Sequence, residues 1–309
     1  MISVIMSVYN EKIEWLSKAV ESIQNQTYTD FEFIIIIDNP ALDKNVIAYL
    51  EERSQMDSRL ILHYNSKNLG LMNSLNVGIQ IAKGEYIARM DADDISFPDR
   101  LEKEFKYLVA NSYDMVSAKK INIDEEGCVI GKDDHRFANP NKHLAYTNFI
   151  VHPLVLIKTS VIKELGGYRC FHNSEDYDMW LRVLSEGYSI GVLNEYLLYY
   201  RIRQSSMSSK NQLETYYIVK YQQQLYRERV KNGFDSFSKD SLNNYLNSKN
   251  ITDIKIIKYN DYKLLFNEAI LLLKSKRIRF IYYYLKACFI FPSIALQDSI
   301  RLLHLINEG

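Results

Sequence analysis

The stretch FEFIIIID (31–38) carries four consecutive isoleucines and closes on an aspartate. A continuous β-branched run, without polar alternation, is the pattern of a strand covered on both faces. Around it, short apolar runs alternate with helically spaced ones. ISVIMSVY (2–9) reads as a strand, and residues 11–27 carry helical spacing through Ile13, Leu16, Val20 and Ile23. Residues 42–56 read as helix, RLILHY (59–64) as strand, and 71–83 as helix through Leu71, Leu75, Ile79 and Ile81. YIARMDADD (86–94) is a strand running into an acidic end. The order β-α-β-α-β-α-β predicts an α/β fold, a parallel sheet with right-handed crossovers.

Beyond Pro98 a helix is expected to about residue 110. Strand-like pieces follow at 113–123, 128–131, 153–158 and 188–202, with helices at 159–165 and 175–186. From 212 onward the chain reads as helical, rich in Tyr, Gln, Leu and Lys, which puts a boundary near 208–212 inside a polar serine run. The expected organisation is one domain over 1–210, whose first half ends at about 95, then a helical region over 211–309.

The chain has 309 residues, with 38 basic and 38 acidic side chains. That balance disfavours non-specific nucleic-acid binding, which depends on neutralising phosphates. Cys128, Cys170 and Cys288 are widely separated and show neither zinc spacing nor a disulfide framework. MISVIMSVYN (1–10) lacks a basic region and a cleavage site and reads as a first strand, so a cytoplasmic location is expected.

In an open α/β sheet, ligands bind beyond the carboxyl ends of the strands. Three polar clusters fall there: Ser7, Tyr9 and Asn10; Asp38 and Asn39; and Asp91, Asp93 and Asp94. Asp38 is either a site carboxylate or the N-cap of the next helix. Three carboxylates in four residues repel one another and need a cation or a wet turn. Mg²⁺ and Mn²⁺ suit such a cluster because they share coordination between carboxylates, water and phosphates. Glu175 and Asp176 follow Ser174, a candidate N-cap, and are either a first-turn complement to the helix dipole or a catalytic pair. His152 precedes an apolar strand and reads as a pocket residue or a core histidine. The motifs of P-loop, dinucleotide-binding and serine-hydrolase sites do not occur.

SVYN (7–10), FEFIIIIDN (31–39), NLGLMNSLNVGIQIAKGEYIARMDADDISFPDRL (68–101), HPLVLIKTSVIKELGGYR (152–169) and SEDYDMWLRV (174–183) together resemble the inverting family 2 glycosyltransferases. The resemblance spans roughly 1–208 and implies a GT-A fold, a Rossmann-like, mostly parallel sheet flanked by helices, which makes 1–210 a catalytic domain with a nucleotide-binding half over about 1–95 and an acceptor half over about 96–210. It implies transfer of a sugar from a UDP-sugar to an acceptor hydroxyl, in building capsular, exopolysaccharide or lipopolysaccharide repeat units. By the same resemblance, Ser7 and Tyr9 line the nucleoside and Asp38 hydrogen-bonds the uracil. Asp91 lies near the ribose and donor sugar, Asp93 is the Mn²⁺ or Mg²⁺ ligand, and Asp176 is the catalytic base, with Glu175 and His152 on the acceptor side. YRIRQSSMS (200–208) resembles a segment that folds over the diphosphate.

Two departures stand out. Many relatives read DDGS where this chain has Asp38-Asn39-Pro40, and Arg203 stands where a histidine is common. An arginine cannot ligate a metal but pairs with phosphate oxygens. The acceptor is expected to be a saccharide, free or lipid-linked. Residues 274–309 are aromatic and apolar behind Lys274, Lys276, Arg277 and Arg279, which suggests either peripheral membrane contact or packing on the preceding domain or on a second subunit. The rival reading is a catalytically silent sugar-nucleotide or polysaccharide-binding protein on the same fold.

Overall fold

The computed structural model describes residues 1–133, 140–203, 211–275 and 278–307. Residues 208–210 of the expected linker, the 204–208 part of YRIRQSSMS, and Lys276 and Arg277 fall outside the described residues. Two compact units make up the chain: Met1–Arg136, Asn148–Phe171 and Glu175–Gln204 form one, and Phe137–Thr147, His172–Ser174 and Ser205–Gly309 form the other.

In the first unit, β1 (Ile2–Val8), α1 (Ile13–Gln24), β2 (Phe31–Ile37), α2 (Lys44–Met56), β3 (Leu60–Tyr64), α3 (Leu71–Ile81) and β4 (Tyr86–Met90) alternate as the hydrophobic pattern predicts. Then come β5 (Ile95–Ser96), α4 (Arg100–Ala110), β6 (Met115–Ile123) and β7 (Val129–Lys132). The unit resumes, beyond α5 (Pro140–Leu144) of the second unit, with β8 (Leu156–Lys158), α6 (Thr159–Glu164), α7 (Glu175–Ser185) and β9 (Ile190–Arg201). Among the described residues one sheet holds all nine strands in the order β3-β2-β1-β4-β8-β6-β9-β5, with β7 on β6. The β3-β2-β1-β4 half is wholly parallel, and β8 enters antiparallel to β4 and β6. All seven residues of β2 are buried, which is why its sequence is continuously apolar. The core on one face of the sheet joins Val4, Met6, Phe33, Ile35, Ala88 and Met90 to Leu16, Val20, Leu50 and Leu101 of the helices.

Register sets where the polar clusters lie. Val8 pairs with Ile37, and Met6 with Met90. Tyr9, Asp38 and Asp91 therefore emerge together from the carboxyl edge of three adjacent parallel strands. β4 ends at Met90 rather than running through 94, so the acidic residues occupy a turn before the two-residue β5. α2 begins at Lys44, and its N-cap is Asp43, whose carboxylate accepts from Asn45 N at 2.7 Å. The capping role weighed for Asp38 thus belongs to Asp43.

The second unit holds α8 (Gln212–Asn232), α9 (Lys239–Ser248), α10 (Asp253–Lys274), α11 (Phe280–Ile290) and α12 (Pro292–Asn307). Its core joins Leu213, Tyr259, Tyr262, Phe266, Ala287 and Ile294. The buried Tyr262 hydroxyl donates to Asp298 Oδ2 at 2.7 Å. Its early segments are tied to α8: Gln222 Nε2 donates to Ser174 O at 2.7 Å and Gln223 Nε2 to Tyr146 O at 2.9 Å. Among the described residues no helix is long and apolar enough to cross a membrane.

One clamp fixes the approach to the polar edge. Asn76 of α3 donates to Tyr168 O at 2.9 Å and accepts from Tyr168 N at 2.8 Å. Gly167, at φ +72°, makes room for it, since a Cβ there would lie 2.4 Å from Asn76 Oδ1. Asn76→Ala leaves both backbone groups of Tyr168 without partners. It is expected to lower stability by about 1–3 kcal/mol in urea titration, and a loss under about 0.5 kcal/mol would refute the clamp.

Candidate active site

The acidic turn after β4 is held from below. The Arg100 guanidinium, fully buried, donates through Nη2 to Arg89 O at 2.8 Å and is bonded to Glu104 at 3.1 Å. Above it, one carboxylate oxygen from each of Asp91, Asp93 and Asp94 lies within 4.8 Å of the others. Asp94 is almost fully buried; its Oδ1 accepts from Arg201 N at 2.8 Å, while Oδ2 has no hydrogen-bond partner. Burial and the neighbouring Asp91 charge push the Asp93 carboxyl up to about 6, and the same two causes raise Asp94 well above the carboxylate range. A buried carboxylate oxygen without a donor, inside a cluster short of positive charge, fits a divalent cation with oxygen ligands.

Arginines compensate part of the charge. Arg89, on β4 and only 4% exposed, forms an ion pair with Asp91. Arg203 Nε lies 2.8 Å from Asp93 Oδ2. Arg201 donates from Nε to Asp93 O at 2.9 Å, tying the end of β9 to the acidic turn.

The second acidic pair opens α7. Asp176 accepts from Asn148 Nδ2 at 2.9 Å and from Tyr177 N at 2.7 Å. Burial raises the Asp176 carboxyl despite these bonds. Burial, followed by the Asp176 charge, pushes Glu175 up to about 7; Asp91 raises it further while Arg89 opposes the shift. The pair and the acidic turn thus share one electrostatic environment, with Arg89 acting on both. Ser174, the candidate cap, donates its hydroxyl to Gln222 Oε1 at 2.9 Å.

The other expected residues are placed as follows. Asp38 is 2% exposed and accepts from Asn65 Nδ2 at 2.7 Å, Leu69 N at 2.8 Å and Gly70 N at 2.8 Å. Its carboxylate thereby shapes the 65–70 turn, and of about four lone-pair sites one is left for a ligand. Asn39 Nδ2 donates to Tyr9 O at 2.9 Å, leaving the Tyr9 ring 49% exposed at the rim. Ser7 is half-buried one residue before the end of β1. His152 Nε2 is 2.9 Å from the Tyr168 hydroxyl, and the ring lies edge-on to Trp180. Burial and then the Arg89 charge hold His152 far below its ordinary value, so it is neutral.

Sequence reasoning passed over Arg89, Asn148 and Arg201. Arg89 had a visible signal, a charge inside the otherwise apolar strand YIARM, because an ion is buried only against a specific partner. Asn148 had none, standing 28 residues before the Asp176 it contacts.

The family model "Glycosyl transferase family 2" matches residues 3–166. An uncharacterized glycosyltransferase of Methanocaldococcus jannaschii is 38% identical over 71% of this chain and 78% of its own length. The O-antigen biosynthesis glycosyltransferase WbnJ of Escherichia coli is 37% identical over 72% of this chain and 87% of its own. In fold, the chain is similar to S. aureus TarS in complex with UDP-GlcNAc, with TM-score 0.62 and 17% identity over 79% of this chain and 70% of that one. The match takes in the acidic turn after β4 and covers more than half of the sequence, and this chain belongs to glycosyltransferase family 2.

Proposed function

We propose that the chain is an inverting glycosyltransferase that moves a sugar from a UDP-sugar to a saccharide hydroxyl in surface-polysaccharide synthesis. The observation that carries this reading is the pairing of two acidic centres through Arg89: the 91–94 turn and the Glu175–Asp176 pair. Its support from relatives is the O-antigen role of WbnJ and the UDP-GlcNAc held by TarS. A silent binding protein has no need of both centres, and this chain keeps both. The nucleotide-binding half is taken as about 1–95 and the acceptor half as about 96–210, followed by the helical region.

Asp93 would be the principal ligand for Mn²⁺ or Mg²⁺, with Asp91 and Asp94 beside it. A divalent cation there supplies positive charge to the departing diphosphate. Ser7, Tyr9 and the remaining lone pair of Asp38 line the nucleoside, while Asp91 faces the ribose and donor sugar. Asp176 removes the proton from the acceptor hydroxyl. The freed oxygen forms its bond to the anomeric carbon on the face opposite the breaking bond to UDP. Burial raises Asp176 towards the working pH of a general base, and Asn148 aims it. Glu175 and His152 face the acceptor side, the latter as a neutral hydrogen-bonding group.

The same reading keeps the chain in the cytoplasm at the inner face of the membrane, held through the second unit. From 269 to 297 the sequence has no acidic residue and five basic ones, Lys274, Lys276, Arg277, Arg279 and Lys286. Ile278, Ile281, Tyr282, Leu285 and Phe289 are exposed along one side of α11 and the turn before it. Such a strip suits an anionic interface. Phe289→Glu with Leu285→Glu is expected to abolish pelleting with anionic vesicles. Unchanged pelleting refutes the strip, and loss of a dimer instead assigns it to a second copy.

Asp176→Asn keeps shape but accepts no proton. UDP release from a UDP-sugar panel should fall by about 10²–10⁴ with UDP binding retained, whereas a change within threefold would remove Asp176 as the base. The acidic turn predicts a further pH effect. Burial favours protonated Asp93, so the cation-free fold is favoured below the ordinary carboxylate value and loses stability as pH rises through about 6. Mn²⁺ needs the ionised form, so it should raise Tm more at about pH 7.5 than at about pH 5. A larger gain at the lower pH would contradict the assignment.

A further inference from the structure

Arg203 stands where the family motif commonly carries a histidine, and its resting contact is with Asp93. Its Nε is 2.8 Å from Asp93 Oδ2, yet that buried N–H is not directed at any acceptor. The contact is one of charge without a formed hydrogen bond, and the donor remains open to an oxygen. The guanidinium carbon also lies 5.9 Å from the centre of the Trp15 ring, which Arg201 approaches to 5.3 Å and Lys12 to 4.2 Å. Two residues earlier the chain is fixed, with Arg201 bonded to Asp94 and to Asp93 O. Arg203 thus has a rigid base, an aromatic neighbour and, among the described residues, one ionic partner, Asp93.

A divalent cation placed on Asp93 must share that carboxylate with Arg203 or turn the guanidinium away, and like charges at that range oppose each other. A diphosphate removes the conflict, because its oxygens serve the cation and the planar guanidinium together. We infer that Arg203 is a counter-ion that competes with the metal for Asp93 and passes to the diphosphate, making metal and nucleotide binding mutually dependent. The inference rests on the proposed metal role of Asp93. It makes the cation bind weakly alone and tightly with nucleotide, a coupling that acts equally in both directions.

The test is Mn²⁺ binding to the full chain by calorimetry and electron paramagnetic resonance, with and without UDP. In the wild type, UDP is expected to tighten Mn²⁺ by about 5–150-fold, and Mn²⁺ to tighten UDP by the same factor. Arg203→Gln should tighten Mn²⁺ alone by about 3–10-fold and shrink the UDP gain correspondingly. Arg203→Lys keeps the charge and should leave Mn²⁺ alone within about twofold of wild type. If Arg203→Gln leaves Mn²⁺ alone unchanged and weakens UDP equally with or without metal, Arg203 is a phosphate contact only. Weaker Mn²⁺ binding in that variant makes Arg203 a support of the site, and either result overturns the inference. Absence of UDP–Mn²⁺ coupling in the wild type overturns it too, whatever the variants' stability. Asp93→Asn separates the two readings: if it leaves Mn²⁺ binding intact, the metal assignment itself has failed.

Discussion

The buried Arg89 guanidinium is the constraint around which the site is arranged. It reaches Asp91 directly, and its charge acts on Asp93, Asp94, Glu175, Asp176 and His152. Five carboxyl groups feel that charge, and without a cation among them burial would hold more of them in the protonated form. Arg89 needs its own anchor, which the main chain supplies: its N–H bonds to Val155 O and its carbonyl to the buried Arg100. The strand that carries the cation is therefore locked from both sides.

The site is built in this way to remain short of positive charge. Desolvation raises Asp93, Asp94 and Glu175, and the arginines offset only part of it. A cluster in that condition binds further cation readily and releases protons as it does so. In the proposed mechanism the Glu175–Asp176 pair gains from the same environment, because a general base works best with its pKa near the working pH. Stability and chemistry draw on one electrostatic balance, so changes at Arg89 or Arg203 act on both.

How much of this could be read from the chain follows from the range of each interaction. FEFIIIID and YIARM declared their strands because both faces of a central strand are buried and the local pattern records it. The Asp91–Asp94 turn was visible because the carboxylates adjoin in sequence. Asp38 was located at the sheet edge but not in its bonding, since its donors Leu69 and Gly70 come from a turn more than thirty residues later. The boundary near 210 could not reveal that 137–147 and 172–174 group with the C-terminal helices, for that grouping is made by Gln222 and Gln223 far along α8. Arg203 was read as a phosphate contact from its chemistry, while its ion pair with Asp93 depends on a β9 end fixed by Arg201.

The central claim is that the acidic turn holds a divalent cation together with a nucleotide diphosphate. Anomalous diffraction from crystals grown with Mn²⁺ and UDP tests it directly. A Mn²⁺ peak beside Asp93, bridged to the UDP phosphates with Arg203 turned onto their oxygens, is the expected result. A peak elsewhere, or UDP bound with no metal at the 91–94 turn, would contradict the account.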